Sequence, residues 1–509
     1  MQAARDRLAE RSPAAVHTFS GTTASRLNTV LADRSITAVR VTTPVLRVDV
    51  PVTIRRSNLR LDLGATELRP AGDAPRFLLR IVDSSQVTVA GGAFSQGRWG
   101  VLVDRGSDVT LMDARFHGLR EGGVAISAAH STVIGRSRFA GLRGAAVLLH
   151  GTTERAVVLG NEMVANLGAS NWHAGIVVTD RQAAVATDPA SLLQADRYWA
   201  HEQPIRERLQ APRRNVIAQN RVAANASSGV YIDGAVENVI VDNIIEGNSK
   251  EGVCLDYGAT ANVLASNAIR QNGKRWGKSD DELKLDFVGG HGRLPDGTPP
   301  AKTPGISLDN ALYNIVYANH VDRNFGGGVK MVRAAWSNLI GLNTVTDNND
   351  GASDRFHFFG IELGAATADA PSSELDFAPS RGNIVFGNSV RGSHYAGLFF
   401  GEGPERRVRQ YHLRRPRLGD RAAAAASECD AQQPDEPAVT PHRRRTRCTA
   451  ARAVEGAGAV AISHGKSRRR DALEPIHGAV LTRYGACRTA STRLRRALPC
   501  PTPASGATP

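Results

Sequence analysis

Residues 215–233 read Asn215-Val-Ile-Ala-Gln-Asn220-Arg-Val-Ala-Ala-Asn225 and then, after Ala226-Ser-Ser, Gly229-Val-Tyr-Ile-Asp233. The Asn phrase returns as Asn238/Asn243/Asn248, Asn262/Asn267/Asn272, Asn314/Asn319/Asn324 and Asn338/Asn343/Asn348, with a frayed copy at Asn383/Asn388/Ser393. Degenerate copies precede it at Gln86/Gly91, Asp108/Asp113, Thr132/Ser137 and Ala156/Asn161/Asn166. Successive starts lie 22, 24, 24, 59, 23, 24, 52, 24 and 45 residues apart, so each long interval is an ordinary one plus an insertion. The Gly phrase recurs in step: Gly100-Val-Leu-Val-Asp104, Gly123-Val-Ala-Ile-Ser127, Gly175-Ile-Val-Val-Thr179, Gly252-Val-Cys-Leu-Asp256, Gly305-Ile-Ser-Leu-Asp309, Gly328-Val-Lys-Met-Val332 and Gly360-Ile-Glu-Leu-Gly364.

Each unit offers about three short strands of period two, broken by Gly and Asn where turns need positive φ. No segment of helical period separates them, which argues against crossover helices. A coil of three strands with a 22–24-residue period is a parallel β-helix, each rung ~4.8 Å above the last. Stacked Asn amides that hydrogen-bond along the axis account for the Asn columns structurally, without chemistry.

Working outward, the rest of the 509 residues fits this coil up to about residue 403 and then departs from it. The 50 Gly and the 5% aromatic content are turn chemistry of a long solenoid. The formal charge of +14 invites a nucleic-acid reading. However, residues 1–403 carry 42 Lys+Arg against 40 Asp+Glu, and residues 404–509 carry 21 against 9. The near-neutral body therefore does not point to nucleic acid. Only Cys254 lies in the body, which leaves it no internal disulfide. No apolar run reaches the ~18–20 residues of a membrane span, and the N-terminus lacks the apolar core of a signal peptide. Residues 404–509 contain no Asn, Phe, Trp or Met and are rich in Arg, Ala and Pro. Such a segment reads as a disordered tail, as an Arg-rich arm, or as translation out of the original frame, because the repeat stops mid-rung after Phe399-Phe-Gly-Glu-Gly403.

On these repeats, residues 76–403 resemble right-handed parallel β-helix proteins of the pectate-lyase-like superfamily. The implied fold is all-β: a single-stranded right-handed parallel β-helix with an N-terminal cap. Residues 1–21 read as an extension and 22–75 as the entry segment, with Thr23–Ala32 as a capping helix. Insertions fall at 180–213, 273–304 and 365–382. The resemblance also implies a monomer, secreted or periplasmic.

In each Gly phrase the second and fourth residues point inward, and the third and fifth are expected to face solvent. The fifth positions run Asp104, Ser127, His150, Thr179, Asp233, Asp256, Asp309, Val332. The third run Leu102, Ala125, Leu148, Val177, Tyr231, Cys254, Ser307, Lys330, Glu362, Phe399. Three stacked carboxylates ~4.8 Å apart repel by about 1 kcal/mol per pair even in water. Such a column binds a cation such as Ca²⁺ through Asp233, Asp256 and Asp309, shares protons, or takes a counter-charge from Lys330 or Arg333. Equally, each Asp starts a turn that its own side chain can cap.

The resemblance implies action on a uronic-acid-containing polysaccharide. As a lyase the site would use Ca²⁺ on the Asp column and Lys330, or second Arg333, as base. As a glycosidase it would pair Asp256 with Asp233 or Asp309, with Glu251 in reserve. Tyr231 and Trp276 would stack on sugar rings, and Glu362 and His357 flank the same strands. Three departures bear on this, the first being that the Asp-Pro-His-Asp phrase of mannuronan epimerases is absent. Lys250-Glu251 stands where polygalacturonases carry an Asp-Asp pair, and Gly290-His291-Gly292 falls inside an insertion. The rival class is a non-catalytic glycan-binding or envelope scaffold.

Overall fold

The structure is a computed structural model that describes residues 2–8, 16–73, 75–168, 171–179, 211–273, 303–332, 334–348, 359–364, 380–393, 396–400, 406–407 and 411–412. The chain divides into two compact units, 1–424 and 425–509, and the second lies outside the described residues. So do Trp276, Arg333, His357, Gly290-His291-Gly292 and nearly all of the three insertions.

Among the described residues every strand pairing is parallel, and the strands meet their counterparts one repeat earlier and later. One face is a 12-stranded sheet built from the Gly phrases, running from Val52–Ile54 to Ala396–Phe400. The strands of the Asn phrases form the other faces, as in Val216–Ala218 over Val239–Val241 and Arg221–Ala223 over Ile244–Glu246. Val230, Ile232, Val253, Leu255, Ile306 and Leu308 point into the coil and are fully buried. Phe94, Phe116 and Phe139 stack within it at centroid separations of 4.8 and 4.5 Å.

The Asn residues form three buried columns. Asn243 shows the pattern: its backbone N–H and its Nδ2 both donate to Asn267 Oδ1, at 3.0 and 2.9 Å. Its Nδ2 also donates back to the Ile217 carbonyl at 2.9 Å. The insertions do not interrupt the columns. Asn161 Nδ2 reaches Asn220 Oδ1 at 3.0 Å across 59 residues, Asn262 reaches Asn314 at 3.1 Å across 52, and Asn338 reaches Asn383 at 3.1 Å across 45.

The turns take positive φ at Gly as expected, with Gly160, Gly247 and Gly387 at 58 to 65°, and also at residues that are not Gly. The left-handed residue at each corner is the one before the Asn: Gln219, Asp242, Ser266, Ala318 and Leu342 have φ of 52 to 56°. A non-Gly residue there costs about 1–2 kcal/mol, and the buried amide bonds of the next residue offset it. Gly252 serves a different need, since a Cβ there would lie 2.5 Å from Ile269 Cγ2 and 2.8 Å from the Gly305 carbonyl oxygen. That column of glycines is fixed by close approach of the rungs.

The cap forms as expected. Helix Ala24–Ala32 buries Ala24, Leu27 and Leu31 over the first rungs, with Thr23 at its N-cap position. Strand His17–Phe19 already pairs with Val39–Val41. At the other end the coil does not stop after Gly403. Backbone strands Arg406–Arg407 and Tyr411–His412 pair with Ile384–Val385 and Ser389–Val390. Among the described residues no helix is long and apolar enough to cross a membrane.

Candidate functional site

The outer side of the 12-stranded sheet carries both sequence-derived columns in the expected register. Ser127 pairs with His150, His150 with Thr179, Thr179 with Asp233, and Asp233 with Asp256. Leu255 pairs with Leu308, which sets Asp309 one rung above Asp256. In the third column Tyr231, Cys254, Ser307, Lys330, Glu362 and Phe399 follow one another.

Exposure differs from the expectation. Asp233, Asp256 and Asp309 are 0, 2 and 0% exposed, and Tyr231 is 1% exposed. The reason lies in the third column, where Leu102, Ala125, Leu148, Val177, Tyr231 and Cys254 form a second apolar cluster outside the coil with Phe77, Trp99 and Trp172. Tyr231 packs edge-on against Trp172, centroids 5.6 Å apart, and does not offer a ring face to solvent.

Within this setting the carboxylates accept specific donors. Thr179 Oγ1 donates to Asp233 Oδ2 at 2.9 Å. Tyr231 Oη donates to Asp256 Oδ2 at 3.1 Å, and the Tyr257 backbone N–H donates to Asp256 Oδ1 at 2.9 Å. Burial, and then the charges of Asp256 and Asp233, push the Tyr231 phenol well above its usual range, so it stays a proton donor. Glu251 is buried and accepts from Ser228 Oγ at 2.9 Å. The accessible polar pair sits further on: Lys330 Nζ lies 3.3 Å from Glu362 Oε1, with side-chain exposures of 31 and 13%.

Among the described residues no group of three or more His, Cys, Asp or Glu is disposed to hold a metal ion. Ca²⁺ takes six to eight oxygens at about 2.3–2.6 Å. Asp256 instead has a donor on each oxygen, and Asp233 has one from Thr179.

Three groups escaped the sequence reading: Thr179 as a donor, Trp172 and His173. His173 and Ala174 precede Gly175 as Ser227 and Ser228 precede Gly229 and as Lys250 and Glu251 precede Gly252, with Trp172 one residue earlier. Reading that column would have found His173. His173 is largely buried, and burial followed by the charge of Lys250 lowers its pKa below the usual 6.5. The unfolded chain therefore takes up a proton at a higher pH than the folded one, and stability falls as pH drops below about 6.5. Replacing His173 by Gln should make the loss of melting temperature between pH 7.5 and 5 shallower than in wild type. Identical slopes would show that His173 titrates as it does in the unfolded chain.

A family model described as the right handed beta helix region matches residues 213–403. No curated protein sequence matches the chain. Among solved structures, a double mutant of the periplasmic alginate epimerase AlgG is 16% identical, covering 73% of this chain and 79% of its own, with a TM-score of 0.47. The A-module of Azotobacter vinelandii mannuronan C-5 epimerase AlgE6 is 12% identical, covering 74 and 81%, with a TM-score of 0.43. DFA-IIIase from Arthrobacter chlorophenolicus A6 is 12% identical, covering 73 and 93%, with a TM-score of 0.47. With parallel rungs throughout, three continuous Asn columns and the family match over residues 213–403, the chain is a right-handed parallel β-helix protein.

Proposed function

We propose that this β-helix is a carbohydrate-active enzyme that acts on a uronic-acid-containing polysaccharide along the outer side of its 12-stranded sheet. The observation that carries the reading is the choice of carboxyl groups in one column. Elsewhere the chain stacks buried polar side chains as neutral amides, in three columns. Asp233 and Asp256 occupy an equally buried stack in which amides would avoid like-charge repulsion. Carboxyl groups bring proton exchange, which amides lack. Asp256 and its donor Tyr231 form an acid–base couple, with Asp233 one rung below and Asp309 one rung above.

Both cleavage chemistries use such a set. In β-elimination a base removes the proton α to the uronate carboxyl, the C4–O bond breaks, and the departing oxygen takes a proton. In hydrolysis one carboxyl protonates the glycosidic oxygen and a second activates water or attacks the sugar. A screen of polyuronates in chelator and in Ca²⁺ tests the reading. New ultraviolet-absorbing unsaturated ends identify elimination, and new reducing ends without that absorbance identify hydrolysis. The burial of the Asp column favours a second reading, a glycan-binding or envelope scaffold. Binding without either product would support that alternative.

A further inference from the structure

We propose that the counter-charge for an acidic sugar on this face is the Lys330 ammonium, held in place by Glu362, and that the Asp column is organised for protons and not for a divalent cation. The inference rests on the polyuronate reading and names the group that recognises the uronate. Two observations carry it. First, three hydrogens already point at the oxygens of Asp233 and Asp256: those of Thr179 Oγ1, Tyr231 Oη and the Tyr257 backbone. Both oxygens of Asp256 and one oxygen of Asp233 are thus already engaged by hydrogen-bond donors. Second, the third column passes from apolar to charged at Lys330, one rung beyond Ser307. There the ion pair of 3.3 Å is partly open to solvent, in contrast to the closed Asp column.

The geometry suits a cation that is positioned yet available. Glu362 pairs with Lys330 across adjacent strands and takes one direction of its ammonium. An ammonium has three donors, so two remain for a ligand oxygen. Asp309 lies one rung below and two residues along from Lys330, because Ser307 pairs with Lys330 and Asp309 with Val332. A uronate carboxylate on Lys330 would thus place its sugar ring over the Ser307–Asp309 end of the acid column. Lys330 then acts as a specificity residue.

The test has two arms on the full chain. In the first, Tb³⁺ is titrated into wild type, Asp233→Asn and Asp256→Asn, with luminescence excited through the aromatic side chains and Ca²⁺ as competitor. In the second, calorimetry follows binding of saturated oligouronates in chelator to wild type, Lys330→Met and Lys330→Arg. We expect identical Tb³⁺ curves in all three proteins. We also expect binding in chelator that weakens at least tenfold in Lys330→Met and recovers in Lys330→Arg. A saturable Tb³⁺ signal lost in either Asn variant overturns the proposal, as does binding that requires Ca²⁺ or is unchanged in Lys330→Met. The two readings fail separately: binding without turnover removes the catalytic reading and leaves Lys330 in its role. Turnover with unaltered binding in Lys330→Met does the reverse, and no binding to any oligouronate removes both.

Discussion

Asn267→Ala should cost about 4 kcal/mol or more of stability, against a median nearer 1 kcal/mol for single substitutions. The side chain sits mid-column with 1% exposure and takes part in four hydrogen bonds. Its Nδ2 donates to the Ile240 carbonyl and to Asn319 Oδ1, both at 2.9 Å. Its Oδ1 accepts the backbone N–H and the Nδ2 of Asn243, at 3.0 and 2.9 Å. Alanine removes all four bonds and leaves the Asn243 backbone N–H without its acceptor. Asn319 Oδ1 keeps the backbone N–H of residue 267, and Asn243 Nδ2 keeps the Ile217 and Val241 carbonyls. An unmade bond in such an interior costs roughly 1–3 kcal/mol. Asn267→Asp is the sharper control. Its size is the same, but it turns a two-bond donor into an acceptor facing the Ile240 carbonyl and Asn319 Oδ1, so it should do at least as much harm. His320→Ala, on an exposed position of the next rung, should stay within about 0.5 kcal/mol. Denaturant midpoints of the three variants check this, and a wild-type midpoint for Asn267→Asp would show that the amide column is not what holds the rungs.

The same column explains why so much of the fold was legible. A residue that must meet its own kind one rung away repeats at the rung period, and insertions show as lengthened intervals between unchanged phrases. Asn161 to Asn220 is such an interval, and its bond is no longer than its neighbours. Period-two alternation gave the inward residues and the register of both outer columns. The left-handed corner was legible only where it is Gly, as at Gly160, Gly247 and Gly387; at rungs where the residue before the Asn is Gln, Asp, Ser, Ala or Leu there is no shared chemistry to read. Exposure of the site was misread for another reason. Alternation says which side chains point away from the coil axis, and nothing of what they meet there. The warning was in the column itself, since Leu102, Ala125, Leu148 and Val177 are not residues that a solvated face selects. Lys330 was read as a base, yet its partner Glu362 stood in the same column one rung on, where an ion pair is the simplest outcome.

Asp256→Asn separates chemistry from architecture. The substitution keeps the shape of a side chain with 2% exposure. The Asn oxygen can still accept the Tyr257 N–H, now at 2.9 Å, while its Nδ2 meets the Tyr231 oxygen and reverses that bond. One charge also leaves a stack with Asp233 directly below, which relieves about 1 kcal/mol or more of repulsion when both are ionised. Stability should therefore hold within about 1 kcal/mol of wild type, or rise. Activity on a polyuronate should fall by about 10²–10⁴, the usual contribution of a positioned acid–base group. Tyr231→Phe should give the complementary pattern: it removes the proton donor and leaves a buried Asp256 oxygen short of a bond, so both turnover and stability drop. If Asp256 only capped its turn, the loss of activity in each variant would follow its loss of stability, and Asp256→Asn would be as active as wild type. A folded, thermally unchanged Asp256→Asn protein without turnover is the result that a capping role does not produce, because an amide caps the Tyr257 N–H as well as a carboxylate but cannot exchange a proton with Tyr231.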